Sequence, residues 1–182
     1  DALESFESAN ELFELVQEYG PEADVVIMAA AVSDAKPAKR IDGKVKKADQ
    51  EWSLQLAPTP DILAWLGEHK SDGQILIGFA MESDADTARE AARAKLEAKN
   101  LDAIILNLLR EGESGFGIDS NNVELFVRQK TAPSQDQVQD QDPPFHFAGT
   151  KLDVALQLVD QLSVSLSGVS PSGYSSSTKK KS

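Results

Sequence analysis

The chain has 182 residues, no cysteine and a formal net charge of -12 at pH 7. Its hydrophobic content of 41% predicts one globular domain with a single sizeable core. The absence of cysteine excludes disulfides and thiolate zinc sites, and the acidic balance disfavours a general nucleic-acid-binding protein. No apolar run approaches the roughly 20 residues that span a bilayer. We therefore expect a soluble, cytoplasmic protein that binds neither nucleic acid nor membrane.

The first part of the chain predicts helices alternating with apolar strands. Apolar residues recur at helical spacing from Ser8 to Tyr19. The segment from Asp24 to Val32 is continuously apolar, which favours a parallel strand covered on both faces over an edge strand. Trp52 to Leu56 alternates as a half-buried strand. A short helix follows, with Thr59 as its N-cap and Pro60 at its first helical position.

The middle of the chain repeats this alternation. Buried strands are predicted from Gln74 to Ala80 and from Leu101 to Asn107, with an alanine-rich helix from Asp84 to Lys99 between them. This succession predicts a three-layer, Rossmann-like α/β domain with a mainly parallel sheet. Ligands of such sheets bind at the carboxyl ends of the strands. The expected crevice is therefore bordered by Ala30 to Asp34, by Phe79 to Glu82 and by Asn107 onward.

The last part of the chain is less regular. Val123 to Arg128 alternates as a strand, and Phe145-His146-Phe147 is a candidate further strand. Lys151 to Leu166 predicts a closing amphipathic helix. Its expected apolar side consists of Leu152, Ala155, Leu156 and Val159. The segment rich in Ser, Gly and Lys from residue 167 to 182 predicts a disordered tail, so the folded domain is expected to span residues 1–166.

One short segment concentrates positive charge. Its cations are Lys36, Lys39, Arg40, Lys44, Lys46 and Lys47, opposed only by Asp42. In so acidic a chain this pattern suggests a bound anion, although a solvated basic face is the alternative. No Gly-x-Gly-x-x-Gly or Walker-type sequence occurs. The sequence also opens within a helix rather than with a strand and a phosphate-binding glycine turn, which suggests that a piece is absent.

Seven blocks, in order and with similar spacing, resemble the phosphopantothenate-cysteine ligase domain of bacterial coenzyme A biosynthesis. The resemblance covers about residues 6–165. The blocks are Met28-Ala29-Ala30-Ala31-Val32-Ser33-Asp34, Lys44-Val45-Lys46-Lys47, Thr59-Pro60-Asp61-Ile62-Leu63, Gly78-Phe79-Ala80, Lys95 and Lys99 before Asn100-Leu101-Asp102, Asn107, and Gly115-Phe116-Gly117-Ile118-Asp119-Ser120-Asn121.

The resemblance implies a two-step ligation. The carboxylate of 4'-phosphopantothenate attacks the α-phosphate of CTP and releases pyrophosphate, and the amine of cysteine then displaces CMP from the acyl-cytidylate. Cations and Mg²⁺ offset the repulsion between the two anions. Lys44 corresponds to the family lysine of acyl-cytidylate formation. The implied nucleotide-binding residues are Met28, Ala29, Ala30, Asp34, Lys44, Pro60, Asp61, Ile62, Leu63, Phe79, Lys95 and Lys99, and Asp34 is also the candidate metal ligand.

Departures from the family pattern carry their own expectations. The Gly-Gly-Thr turn of the first strand and the Asn-Arg-Ser-Ser-Gly block are missing, and the latter holds the asparagine of the second step. We therefore expect an N-terminally incomplete domain without full ligase activity. The flavin-dependent decarboxylase that is commonly fused upstream is also missing, so FMN is not expected. Thr59-Pro60-Asp61 favours CTP over ATP, and the resemblance implies a homodimer formed through strands near Val45 to Leu56.

Less specific interpretations compete with these assignments. Lys95 and Lys99 could pair with carboxylates of their own helix, namely Glu90, Glu97 or Asp86. Asp34 could cap a turn and Phe79 could belong to the core. His69 and His146 are interpreted as structural.

Two other function classes compete with the ligase as a whole. The alternative function is a non-catalytic interaction or regulatory domain whose basic loop docks an acidic partner. A nicotinamide-dependent oxidoreductase is disfavoured by the missing glycine fingerprint.

Overall fold

The structure is a computed structural model that describes residues 2–39, 53–108, 119–128 and 143–167. A five-stranded sheet carries the fold. The elements are α1 (Ala9–Tyr19), β1 (Val25–Met28), β2 (Ala35–Pro37), β3 (Leu56–Pro58), α2 (Ile62–Glu68), β4 (Ile75–Glu82), α3 (Ala85–Ala98), β5 (Ala103–Leu108), β6 (Ser120–Val127), β7 (Phe145–Thr150) and α4 (Lys151–Ser167). A 3₁₀ turn, Gly20–Glu22, follows α1.

The sheet has the strand order β1-β4-β5-β6-β7. β1, β4 and β5 are parallel, whereas β6 and β7 are antiparallel to their neighbours. β2 and β3 form a separate antiparallel pair. The predicted α/β class with parallel central strands is confirmed. The four strands predicted from Gln74, Leu101, Val123 and Phe145 correspond to β4, β5, β6 and β7.

Two apolar clusters lie on opposite faces of the sheet and confirm the three-layer arrangement. On one face α1, α2 and α3 pack against the sheet, around side chains such as Leu76 and Ile104. On the other face α4 packs around Ile77, Ile105 and Leu125. Alternate residues of β4 and β5 therefore serve different clusters, as the two-residue period of a strand requires. Burial on both faces explains why these two strands are continuously apolar in sequence.

Polar contacts fasten α3 to β6. Glu124 is 4% exposed and accepts hydrogen bonds from two nitrogens of the Arg89 guanidinium. The Arg93 guanidinium lies 4.8 Å from the ring centroid of Phe126. A buried carboxylate is tolerated because it is paired, and removal of Arg89 would take away two of its hydrogen bonds. These contacts set the position of α3 against the sheet.

The prediction that β1 is covered on both faces is wrong. In the described sheet β1 is an edge strand that pairs only with β4. Val25 and Ile27 are 48% and 54% exposed, and the exposed Phe79 and Met81 of β4 continue the same face. α4 packs chiefly on β6 and β7 and does not cover this area. A continuous apolar run therefore marked a strand correctly but did not indicate what covers it.

Two expectations about the segment between β1 and β4 are also wrong. The strand predicted from Trp52 to Leu56 lies instead at Leu56–Pro58, where it pairs with β2. The N-cap of α2 is Asp61, whose side chain accepts from the Ala64 N–H at 3.0 Å. The Thr59 hydroxyl donates instead to the Ser33 carbonyl. Pro60 thus precedes the helix, because a better-placed carboxylate caps it.

The helix α4 is confirmed, but its predicted core side is wrong. The buried residues are Val154, Leu158, Leu162 and Leu166. The four expected core residues Leu152, Ala155, Leu156 and Val159 are all exposed. Two apolar stripes occur on this helix, and the spacing of apolar residues did not indicate which one faces the sheet. The predicted tail beyond Ser167 lies outside the described residues.

Gly67 allows α2 and α3 to approach each other closely. A Cβ at this position would lie 1.9 Å from the carbonyl oxygen of Lys99. We predict that Gly67→Ala lowers the free energy of unfolding by roughly 1–3 kcal/mol, the usual cost of overpacking. Urea unfolding monitored by circular dichroism measures this change. Glu68→Ala, at the exposed neighbouring position, is the control and should stay close to wild type. Equal midpoints for the two variants would contradict the prediction.

Candidate functional site

The carboxyl end of β1 opens a gap in the sheet. β1 ends at Met28, which is aligned with Gly78, whereas β4 continues from Phe79 to Glu82 alongside β5. In the described part of the chain these four residues of β4 have no strand partner on the β1 side. We call this gap, between the chain leaving β1 at Ala29 and the end of β4, the notch. It lies at the sheet edge where α/β domains bind ligands.

The N-terminus of α2 is held beside the chain that leaves β1. The Thr59 N–H donates to the Asp34 carbonyl at 3.0 Å. Ile62 is buried, and Leu63 packs against Gly78 of β4. The side chains of these two predicted site residues therefore belong to the core. In the segment from Pro60 to Leu63, the backbone and the Asp61 carboxylate remain available to a ligand.

Lys99 reaches back from the end of α3 to this capping carboxylate. Its Nζ lies 2.9 Å from Asp61 Oδ1 and 2.8 Å from Oδ2. Burial raises the pKa of Asp61, but hydrogen bonds from Lys99 and from the Ala64 N–H outweigh it, so the pKa lies below its ordinary value of 3.8. The pair joins the last turn of one helix to the first turn of another.

Lys95, one turn earlier, pairs with Glu82. The Nζ to Oε1 distance is 2.6 Å, and the side chains are 43% and 31% exposed. The two lysines therefore pair with carboxylates at the N-terminus of α2 and the end of β4, rather than with those of their own helix. Both ammonium groups are directed toward the elements that border the notch. Residues four positions apart lie on one side of a helix, which is why both lysines extend in this direction from α3.

Phe79 lies on the other face of the sheet. Met28, Ala80 and the lysine-bearing α3 belong to the helical face formed with α1 and α2, whereas strand alternation directs Phe79 to the α4 face. Its ring is 41% exposed rather than part of the core. The structure therefore does not place all predicted site residues on one wall. A ligand that contacts both Phe79 and Lys95 must pass through the notch.

A cavity of about 620 Å³ adjoins the segment that follows β1. It is lined by residues Phe6 to Asn10 before and within α1, by Ala30 to Ser33, and by Ala35, Lys36 and Thr59. The Lys36 Nζ donates to Asn10 Oδ1 at 2.9 Å. An amide does not neutralise an ammonium group, so this lysine keeps its positive charge beside the cavity.

Sequence reasoning assigned no role to two polar residues at this edge. Glu82 is one of them. The other is Asn107 of β5, aligned with Met81, whose buried Oδ1 has no hydrogen-bond donor among the described residues. Buried amide oxygens are normally partnered, so this atom is a candidate acceptor for a donor on a ligand or on a water molecule. The signal in the sequence was a polar residue at the carboxyl end of an otherwise apolar strand.

Part of the predicted site lies outside the described residues. This applies to Lys44, the candidate catalytic lysine, to Arg40, Lys46 and Lys47, and to the Gly115-Phe116-Gly117 loop. The role of Lys44 therefore stays a prediction.

The described residues do not fit a resident Mg²⁺ site. Among them, no group of three or more His, Cys, Asp or Glu side chains is placed to hold a metal ion. The assignment of Asp34 as a metal ligand stays a prediction. Of the helices in the described ranges, none is both long and apolar enough to cross a bilayer.

Comparison with protein families decides the relationship of the chain. The family model described as the DNA/pantothenate metabolism flavoprotein C-terminal domain matches residues 2–163. The chain belongs to this family.

The curated relatives that match the chain are longer proteins. A Cysteine/Cysteine sulfinic acid decarboxylase of an unknown prokaryotic organism is 42% identical over 65% of this chain and 33% of that protein. The Coenzyme A biosynthesis bifunctional protein CoaBC of Bacillus subtilis is 43% identical over 67% and 29%. CoaBC of Mycobacterium tuberculosis H37Rv is 32% identical over 90% and 38%. The chain thus spans about a third of the length of these relatives.

Solved structures show the same fold. The C-terminal domain of CoaBC has a TM-score of 0.63 and 28% identity, covering 90% of this chain and 65% of that chain. The DNA/Pantothenate Metabolism Flavoprotein from Streptococcus pneumoniae has a TM-score of 0.68 at 20% identity, over 90% of this chain and 73% of that one. The H337A variant of Cab2, in complex with phosphopantothenate-cysteine, has a TM-score of 0.66 at 16% identity, over 89% and 51%.

The ion pair of Asp61 predicts a defined pH dependence. Because the pKa of Asp61 is lowered on folding, its contribution to stability is present above its ordinary value of 3.8 and is lost as the pH falls through the lower folded value. Asp61→Asn keeps a good N-cap but removes the charge. We expect the variant to be less stable than wild type at pH 6, and the difference to shrink below about pH 4.

Urea unfolding from pH 6 to pH 3 measures this difference. In a Lys99→Ala background the same exchange should depend less on pH, because the hydrogen bond and charge of Lys99 are gone. A wild-type advantage that stays constant down to pH 3 would show that the carboxylate is not stabilised by folding.

Proposed function

We propose that the chain supplies the nucleotide-binding portion of a CTP-dependent phosphopantothenate-cysteine ligase of coenzyme A biosynthesis. The observation that carries the proposal is the placement of Lys95 and Lys99. Their ammonium groups pair with Glu82 and Asp61, which lie at the carboxyl edge of the sheet and at the first turn of α2. Cations at this edge suit a ligand with several phosphates.

The proposed reaction joins 4'-phosphopantothenate to cysteine through an acyl-cytidylate. In the first step the substrate carboxylate attacks the α-phosphate of CTP, a P–O bond forms, and pyrophosphate leaves. In the second step the cysteine amine forms the amide bond, loses a proton and releases CMP. Both anions must come close in the first step, so cationic side chains lower its barrier. We assign that role to Lys44, with Lys95 and Lys99 holding the nucleotide.

The remaining contacts follow from the geometry of the notch. Ala29 and Ala30 have small side chains, so their backbone can approach the nucleotide closely. The exposed Phe79 ring offers an apolar surface to the nucleoside, and the unpartnered Asn107 oxygen offers an acceptor. The Asp34 carboxylate lies in the loop that Thr59 fastens to α2. We propose these groups as the orienting contacts of CTP.

The relatives support the substrate class. Two relatives are named for coenzyme A biosynthesis, and the Cab2 structure contains phosphopantothenate-cysteine, which is the product that the proposed reaction would form before decarboxylation. We further propose that the functional protein is a cytoplasmic homodimer, as the resemblance implies. The segment expected to form its interface, near Val45 to Leu56, lies mostly outside the described residues.

Ligand-dependent melting tests the proposal. A ligand that binds only the folded state raises the melting temperature by mass action. We expect CTP with Mg²⁺ at a concentration of about 100 times the Kd to stabilise the protein by roughly 2.7 kcal/mol. ATP should give a smaller shift. A melting temperature unchanged by CTP would favour the alternative of a non-catalytic interaction domain, in which the basic segment docks an acidic partner.

The two lysines on α3 give a sharper prediction. Lys95→Ala and Lys99→Ala should each weaken CTP binding about tenfold or more, since a hydrogen bond to a charged group contributes roughly 1.5–3 kcal/mol. Isothermal titration calorimetry measures the Kd. Lys151→Ala is the control, because this exposed lysine begins α4 on the opposite face of the sheet. Equal affinities for all three variants would remove Lys95 and Lys99 from the site.

A further inference from the structure

We infer that Glu82 makes the site select the metal-bound form of the nucleotide over the free triphosphate. This inference rests on the proposed function. Glu82 is the last residue of β4, is aligned with Leu108 of β5, and borders the notch. Its carboxylate lies 2.6 Å from the Nζ of Lys95 and is 31% exposed. No role in ligand binding follows for it from the sequence.

The charges in this part of the site cancel one another. Lys95 is paired with Glu82, and Lys99 is paired with Asp61. These four groups together carry no net charge at neutral pH. An anion that binds the two lysines therefore also meets the repulsion of their partner carboxylates.

A phosphate that contacts Lys95 must also approach Glu82. Because the carboxylate oxygen lies 2.6 Å from the ammonium nitrogen, an anion on the same nitrogen comes within a few ångströms of it. Two like charges at such a distance repel each other, and partial exclusion of water strengthens the repulsion. A free triphosphate consequently gains the attraction of Lys95 only against the repulsion of Glu82.

A divalent cation on the triphosphate changes the sign of this interaction. It cancels part of the phosphate charge, and carboxylate oxygens are attracted to Mg²⁺. Glu82 then no longer opposes the ligand. Lys36, in contrast, attracts the free triphosphate more strongly than its metal complex, because the free form carries more negative charge. Glu82 is thus a specificity-determining residue in addition to one that positions Lys95.

The experiment measures the Kd of CTP by calorimetry twice for each variant, once with excess MgCl₂ and once with EDTA. The Kd measured with EDTA divided by the Kd measured with MgCl₂ is the ratio that reports the preference for the metal complex, and a higher ratio means a stronger preference. We expect Glu82→Gln to lower this ratio at least about threefold, the scale of a partly exposed charge interaction. Glu82→Asp keeps the charge and should retain the wild-type ratio. Glu97→Gln removes a different carboxylate, the one on α3 that is paired with Arg128, and is the matched control.

The ratio separates the selective role from a purely structural one. If Glu82 only held Lys95 in place, its loss would weaken the free form at least as much as the metal complex, so a ratio that does not fall would overturn the inference. The double variant Glu82→Gln/Lys95→Gln gives a second reading, because it should have a lower ratio than Lys95→Gln alone. If Glu82→Gln fails to fold, a double variant whose ratio equals or exceeds that of Lys95→Gln is the overturning result.

Failure of the proposed function is a different outcome. It would appear as a wild-type protein that does not bind CTP even with excess MgCl₂. A wild-type protein that binds CTP, together with unchanged ratios in the variants, would leave the proposed function standing and remove only the role of Glu82.

Discussion

The pairing of β4 with strands of unequal length is the constraint on which the site depends. β4 is buried on both faces at its start, which fixes its position between β1 and β5. β1 ends at Met28, which is aligned with Gly78, whereas β4 continues for four more residues to Glu82. Beyond Gly78, β1 therefore no longer pairs with β4. The notch exists because of this difference. The proposed ligand contacts Phe79, Lys95 and Lys99 border the notch or extend toward the elements that border it.

The helices on one face then determine which charges reach the notch. Gly67 lets the end of α3 lie against α2, and from there Lys99 spans to the cap of α2. Glu124 and Arg89 hold the other part of α3 against β6. The lysines are therefore placed by contacts that are themselves buried or close-packed. A positively charged side chain on a free surface helix would have no such fixed direction.

The patterns of apolar residues and the composition of the segments were sufficient to predict the α/β architecture. The strands β4 and β5 were predicted from continuous apolar runs. The strand β6 and the helices α1 and α4 were predicted from apolar periodicity, and α3 from its alanine-rich composition. Which face of a strand or helix is buried depends on neighbours that are distant in sequence, and the predictions of buried faces were wrong for β1 and α4. Val25 and Ile27 are exposed although their run is apolar, and α4 buries Val154 and Leu158 instead of Leu152 and Leu156. The N-cap of α2 is Asp61 rather than the predicted Thr59, because the Asp61 carboxylate accepts from a backbone N–H of the first turn.

The candidate site was predictable to a similar extent. Residue types and order indicated Asp61, Lys95 and Lys99, and the structure shows Lys95 and Lys99 oriented toward notch-bordering elements. Their partners were not predictable, because Glu82 lies 13 positions and Asp61 38 positions from the lysines that they contact. The face of Phe79 was likewise open until the register of β4 was known. Such pairings depend on how the helix and the strand cross. The spacing of residues along one element does not predict that crossing.

The edge position of β1 has a practical consequence. Among the described residues, β1 has no strand partner on the side away from β4, and exposed valine, isoleucine, phenylalanine and methionine side chains lie on its face, so it is a template for unwanted strand pairing. Concentrated solutions of the isolated polypeptide should consequently scatter light and bind hydrophobic fluorescent dyes. Lysine introduced at Val25 or Ile27 would be the simplest remedy, since neither side chain contributes to a packed interior.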